Sequence, residues 1–248
     1  MKFFFLFVLL LIFKINHADS MTILIDPGHG GDEDGAKVSE IKEKDLALSI
    51  ARKIQEKLSK HYSVYLTRSI DRTVSLPERA VIAEKMKTDL FISVHINSSP
   101  DGTASGFETY YLDNHNDVAI KKVEKTENIM MKGEELTVQQ ILVDLVVEQT
   151  VKTSKPLAES IHAAIKSSVG RKYHLHSRGI RPGLFYVLAL SKRPGVLLEV
   201  GFISTPKERA RMMNQKFQDD YATAVVKGIE KFLKGSSRLR RAKSAGSR

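Results

Sequence analysis

The chain contains no cysteine. That excludes disulfides, thiol nucleophiles and thiolate ligands, so any bound metal must be held by histidine, aspartate or glutamate. There is no GxSxG elbow and no HExxH helix, which leaves the common serine-hydrolase and zincin routes unsupported. The glycine-rich stretch GHGGDEDG at 28–35 lacks the Lys-Ser/Thr end of a phosphate loop and the spacing of a dinucleotide fingerprint. The apolar run from Phe3 to Phe13 is shorter than the roughly 20 residues that a membrane helix needs. With Lys2 before it and Ala18 as a cleavage edge, it reads as an export signal over residues 1–20. The protein is therefore expected in the periplasm or at the cell wall. No acidic residue follows Glu230 in a chain of net charge +10. Residues 235–248 are expected to be a disordered basic tail suited to an anionic surface, such as lipid headgroups or a wall polymer. Nucleic acid is not an expected partner of an exported chain, and a monomer is expected.

What is present is an alternation of strands and helices over 248 residues, 42% of them hydrophobic. Strands are predicted at 21–25, 62–66, 90–96, 106–112, 184–188 and 195–203. Helices are predicted at 44–59, 76–87, 136–149, 156–168, 206–213 and 216–234. Leu46, Ile50, Ile54 and Leu58 recur every fourth position, and Ser75 with Glu78 has capping-box spacing. LFISVHI at 90–96 is apolar enough to be buried on both faces. The pattern implies a single α/β domain, 21–234, with a central, twisted, mostly parallel sheet flanked by helices. Residues 113–155 interrupt the rhythm as a helical insert, an ordinary peripheral helix or a lid beside the active site.

Three polar residues fall beside strand ends. His29 follows the first strand in ILIDPGHGG, His95 ends the 90–96 strand, and Glu199 lies inside GVLLEVGFI. Ligand sites in open α/β sheets lie outside the carboxyl ends of strands. Singly, each histidine is better explained as a turn cap or a satisfied core group. Together with a carboxylate that would be costly to bury unpaired, they suggest a zinc site. A third ligand is available from Asp32, Glu33, Asp34, Glu40 or Glu43. Glu43 gains from the helix N-terminus, but spacing does not separate it from Glu40. The surrounding glycines would let the backbone turn tightly enough to aim His29.

The chain resembles the zinc-dependent N-acetylmuramoyl-L-alanine amidases, in the group that includes cell-division and spore-cortex amidases. The likeness is carried by ILIDPGHGGDEDGA, IKEKDLALSIA, LTRSIDRTVSLPERAVIAE, FISVHINSSP, GFETYYL and RGIRPGLFYVLALSKRPGVLLEVGFIS, in that order. The resemblance implies that His29, Glu43 and His95 hold Zn²⁺ and that Glu199 is the catalytic glutamate. It implies hydrolysis of the amide between N-acetylmuramic acid and L-alanine in peptidoglycan. Arg68 and Arg79 are expected to be structural anchors. The insert matches a helix that covers the zinc in division amidases and is displaced by an activator protein, with Glu134, Glu135 or Glu148 as the capping carboxylate. SVHIN departs from the commoner SIHAN, and Ile96 adds bulk beside a ligand. The competing readings are a zinc peptidase acting on stem peptides and a non-catalytic wall-binding or regulatory protein.

Overall fold

The structure, a computed structural model, describes residues 21–113 and 134–245, with the backbone alone at 134–142 and 237–245. The expected signal segment and residues 114–133 of the insert lie outside the described residues. The strands are β1 (Thr22–Pro27), β2 (Lys37–Val38), β3 (Ile41–Lys42), β4 (Ser63–Leu66), β5 (Leu90–Asn97), β6 (Phe107–Leu112), β7 (Ser177–Gly183) and β8 (Gly195–Phe202). The helices are α1 (Glu43–Leu58), α2 (Leu76–Lys85), α3 (Glu134–Ile165), α4 (Arg171–Tyr173), α5 (Tyr186–Ser191), α6 (Pro206–Met213) and α7 (Gln215–Ala245). No described helix is long and apolar enough to cross a membrane.

Six strands form one sheet in the order β4-β1-β5-β8-β6-β7, and β2 pairs with β3 in a separate ribbon. The first four strands are mutually parallel. β6 runs against β8, and β7 is parallel to β6. The α/β architecture and the mostly parallel centre are as the alternation predicts. Side chains alternate between the two faces along each strand. Ile92, Val94 and Ile96 of β5 face a core with α1, α3 and α7, as do Val196, Leu198 and Val200 of β8. The opposite face, with Leu24, Phe91 and Leu197, packs under α2, α5 and the Val143–Val147 stretch of α3. Of these, α2 and α5 are short, spanning only Leu76–Lys85 and Tyr186–Ser191.

Local sequence explains the elements. Leu46, Ile50, Ile54 and Leu58 are all buried and tie α1 to the sheet. At α2, Ser75 accepts from the Glu78 backbone N–H while the Glu78 carboxylate accepts from the Ser75 N–H, the predicted capping box.

Three expectations are corrected. LFYVL at 184–188 is not a strand: helix α5 covers Tyr186–Ser191, and the strand is the preceding SRGIRPG. A short apolar run does not distinguish strand from helix. β7 tolerates glycine and proline because it pairs on one side only, with β6. The helices expected at 136–149 and 156–168 are one helix, α3, with Pro156 inside it. The insert therefore has no boundary at 155: Val143, Val146, Val147, Thr150 and Ser154 are buried, and Ser154 Oγ accepts from the Gly195 N–H at 3.0 Å. The basic end is helical to residue 245, where a disordered tail is predicted. Extending a formed helix through Arg, Lys and Ala needs no new nucleus.

Helices α3 and α7 meet at Gly228, where a Cβ would stand 2.5 Å from the Ile161 Cα. Gly228→Ala should therefore destabilise the protein by about 1–3 kcal/mol. The opposing gain in helix propensity is about 1 kcal/mol. Urea unfolding checks the sign, and a stabilised variant would contradict the close crossing.

Candidate active site

The site is built where β1 ends. His29 itself adopts the left-handed conformation, with φ 55°, followed by Gly30 at 132° and Gly31 at 59°. A left-handed non-glycine residue costs roughly 1–2 kcal/mol, so its surroundings must hold it. Two buried arginines do so. Arg68 donates to the carbonyls of Pro27 (3.1 Å) and Gly28 (2.8 Å). Arg79 donates to the carbonyls of Pro27 (2.9 Å) and His29 (2.9 Å). Farther along, Asp71 accepts from the Gly31 N–H at 2.7 Å, and Lys44 Nζ donates to the Gly31 carbonyl at 2.6 Å. The arginines are structural anchors, as expected.

The glycines have a different job from the one the sequence suggests at His29. A Cβ on Gly28 would lie 2.3 Å from the His95 ring, and one on Gly35 would lie 2.6 Å from Glu43 Oε2. These two glycines make room for the polar cluster, while the histidine takes the sharp turn.

His29, Glu43 and His95 come together with their ligand atoms all within 4.8 Å of one another. His29 Nε2 is 3.4 Å from Glu43 Oε2, and His95 Nδ1 is 3.0 Å from Glu43 Oε1. Two donors on a tetrahedral zinc, each about 2.0–2.1 Å from the metal, stand about 3.3 Å apart. The nitrogen and carboxylate donors and their separations therefore fit zinc. Backbone donors pin the carboxylate: Ala36 N–H gives to Oε2 at 2.8 Å and Ile96 N–H to Oε1 at 2.9 Å. Burial opposes ionisation of Glu43, but hydrogen bonds from both histidines outweigh it and hold the carboxyl well below its usual range. Burial likewise lowers His29, and the Glu43 carboxylate reverses this, raising it overall. Glu40 is exposed on the preceding turn.

Beneath the cluster lies Asp26, fully buried. It forms an ion pair with Arg79 and accepts from Thr67 Oγ1 (2.6 Å) and Ser93 Oγ (2.8 Å). Burial pushes its carboxyl up, but Arg79 and the Thr67 hydroxyl bring it below the ordinary value. Asp26 was legible by the same logic as Glu199, a carboxylate in an apolar strand, yet it falls within ILIDP without a role.

Across the sheet, His95 pairs in register with Glu199, and Glu199 with Glu108 of β6. Laterally paired residues share a face, so these form a row over three strands. The β6–β7 register shifts between Phe107 and Thr109, placing Arg178 and Gly179 beside Glu108. Glu108 accepts from Arg178 Nε (2.8 Å), Tyr110 OH (2.7 Å) and Asn97 Nδ2 (3.2 Å). Glu108 and Arg178 are absent from the sequence-level site; a glutamate inside FETYYL was the signal. Ile96 is buried in the core with α1 and also borders the cleft beside His95.

His29, Glu43, His95 and Glu199 line one open cleft of about 1190 Å³. Asp32, Glu33 and Asp34 stand on one wall, and Arg178, Tyr186 and Leu190 on others. Glu148 is exposed on α3 and is not among the cleft residues. The side chains of Glu134 and Glu135 lie outside the described residues.

The family model described as N-acetylmuramoyl-L-alanine amidase matches residues 23–231. The chain belongs to this amidase family. It is 34% identical over 218 residues to N-acetylmuramoyl-L-alanine amidase AmiA of Escherichia coli (strain K12), covering 84% of this chain and 74% of that protein. The crystal structure of N-acetylmuramoyl-L-alanine amidase from Clostridium difficile 630 superposes with a TM-score of 0.68 at 32% identity, covering 88% of this chain and 98% of that one. The CwlD amidase from Clostridioides difficile, solved in complex with the GerS lipoprotein, gives 0.67 at 25% identity, covering 86% and 98%. The His/Glu/His cluster thus has the geometry of a zinc site within an amidase domain.

Asp26→Asn would leave Arg79 buried without its counter-charge and should lower stability at pH 7 by about 3–5 kcal/mol. The Asp26 pKa is depressed in the fold, so its contribution is present above its unfolded value near 4 and is lost as pH falls through the folded value. Thermal unfolding between pH 2 and 7 checks this: the variant should start lower and lose less on acidification.

Proposed function

We propose that this protein is a zinc-dependent amidase that hydrolyses the bond between the lactyl group of N-acetylmuramic acid and the L-alanine of the peptide stem. The observation that carries the reading is the buried His29–Glu43–His95 cluster, with Glu199 in register beside His95 at the same open cleft. Membership of the amidase family and the likeness to AmiA support the choice of bond.

His29, Glu43 and His95 would hold the ion. When bound, zinc supplies Lewis acidity, lowering the pKa of water and polarising a carbonyl. Glu199 takes a proton from the attacking water on a carboxylate oxygen as the new C–O bond forms. It returns that proton to the alanine nitrogen as the C–N bond breaks. The products are the free lactyl carboxyl group and the stem peptide with a free amine. Arg68 and Arg79 keep His29 in its left-handed conformation throughout, which preserves the direction of the imidazole.

The proposal extends to location and control. Lys2 and the apolar run Phe3–Phe13 support export to the periplasm or wall, and the motif set supports a role in cell division. Within the insert 113–155, the part ahead of the core residues Val143–Ser154 is assigned as a lid displaced by an activator protein, with Glu134 or Glu135 as the capping carboxylate, since Glu148 is exposed away from the cleft. The CwlD–GerS complex supports protein partnership for this domain type. The basic end, 235–248, is assigned to an anionic surface, and the protein acts as a monomer.

In a sacculus digest, Glu199→Gln should lower cleavage by about a hundred- to ten-thousand-fold while the protein still binds about one zinc. A chelator should abolish cleavage and added zinc restore it. Free alanine amines, rather than new ends within the stem, identify the bond; full activity of the variant would remove Glu199 from its role. The lid is tested separately, since α3 is part of the core and its deletion would unfold the domain. Glu134→Gln or Glu135→Gln should raise basal cleavage several-fold while Glu148→Gln should not, and unchanged rates in the first two would discard the capping carboxylate.

A further inference from the structure

We infer that Arg178 recognises a carboxylate of the peptide stem and sets a preference for stems that carry one near the scissile bond. This rests on the amidase reading and adds a specificity residue to it. The row His95–Glu199–Glu108 crosses three adjacent strands, and Arg178 continues it on the fourth. Adjacent strands lie about 4.8 Å apart, so Arg178 is rooted on the order of 10 Å from the Glu199 position. An extended peptide covers that distance in about three residues. A stem bound with its alanine amide at Glu199 and running along the row therefore brings its first residues to Arg178.

The arginine is built for this task. It sits at the irregularity in the β6–β7 pairing, next to Gly179 at φ 94°. Such irregularities re-aim a side chain relative to a regular strand. Buried Glu108 fixes the guanidinium through Nε, and the aromatic ring of Phe202 lies 5.2 Å below it. Among the described residues the guanidinium has no other hydrogen-bond partner than Glu108. Arg178 is 31% exposed and lines the cleft. Arg181 also approaches Glu108, at 3.8 Å, so two guanidinium groups share that carboxylate. Elsewhere the cleft is lined by Asp32 and Glu33, whose charges repel an anion, while Asp34 beside them is paired with Lys42 and Lys44. The cleft is thus polarised, with its cationic end two strands beyond Glu199. In a muropeptide joined through the lactyl amide, the sugars are uncharged and the negative groups are peptide carboxylates. An arginine already oriented through Nε presents its remaining N–H groups to such a group at little entropic loss.

The test uses the zinc-loaded full chain and paired ligands that differ at one group. Muropeptides with glutamate or isoglutamine as the second stem residue report kcat/KM, and the corresponding free stem peptides report binding without turnover. Wild type should favour the carboxylate form about ten- to a hundred-fold in both measurements. Arg178→Gln should reduce that ratio to about twofold or less, by a larger loss of kcat/KM on the carboxylate substrate than on the carboxamide one. Arg178→Lys should keep part of the preference. Equal binding of the two peptides by wild type overturns the inference, as does a preference that survives in Arg178→Gln, or equal loss on both substrates. Discrimination in binding with no cleavage of either muropeptide would leave Arg178 assigned and sink the amidase reading instead.

Discussion

A carboxylate buried at the end of β1 meets a guanidinium from α2, and the geometry of the site rests on that pair. Asp26 neutralises Arg79, which frees the rest of the Arg79 fork to hold the carbonyls of Pro27 and His29. Without the anion, burying Arg79 would be too costly to sustain. Without Arg79, the carbonyl of the left-handed His29 would lose its guanidinium partner. Arg68 repeats the device one carbonyl earlier and also reaches the Lys44 carbonyl at the start of α1, linking the histidine loop to the helix that supplies Glu43.

The second constraint is the parity of the sheet. Because successive residues alternate faces, His95, Glu199 and Glu108 can share a row only while β5, β8 and β6 keep their register. That register brings a metal ligand, a candidate base and a carboxylate-anchored arginine onto the face packed by the short helices α2 and α5 and by the Val143–Val147 stretch of α3. The opposite face is packed by α1, α7 and the later part of α3, from Leu157 to Ile165. A slip of one residue in β8 would put Glu199 into the apolar core and Leu198 into the cleft.

Much of this was legible locally. The spacing of Leu46, Ile50, Ile54 and Leu58 specified α1, and Ser75 with Glu78 specified the start of α2. His29, His95 and Glu199 stood out because polar groups beside apolar strands need partners. The fold class followed from alternation alone. Elsewhere local signals were ambiguous. LFYVL has the composition of a strand but is helical from Tyr186, because a neighbouring Gly/Pro-containing segment pairs with β6. QTVKTSKP looks like a linker, yet Thr150 and Ser154 are buried in a continuous helix, where the Thr150 hydroxyl bonds back to the Val146 carbonyl and the Ser154 hydroxyl accepts from the Gly195 N–H of β8.

By itself the sequence determined the donor chemistry: without cysteine, a metal site had to be built from imidazole and carboxylate, and the order of motifs named the family. Only the tertiary structure separated Glu43 from Glu40 by physical means, since the choice depends on which carboxylate two histidines and two backbone N–H groups surround. Only it joined Glu108 and Arg178 to the site. Their relation to Glu199 is one of register between strands far apart in the chain, and register is set by the packing of whole faces.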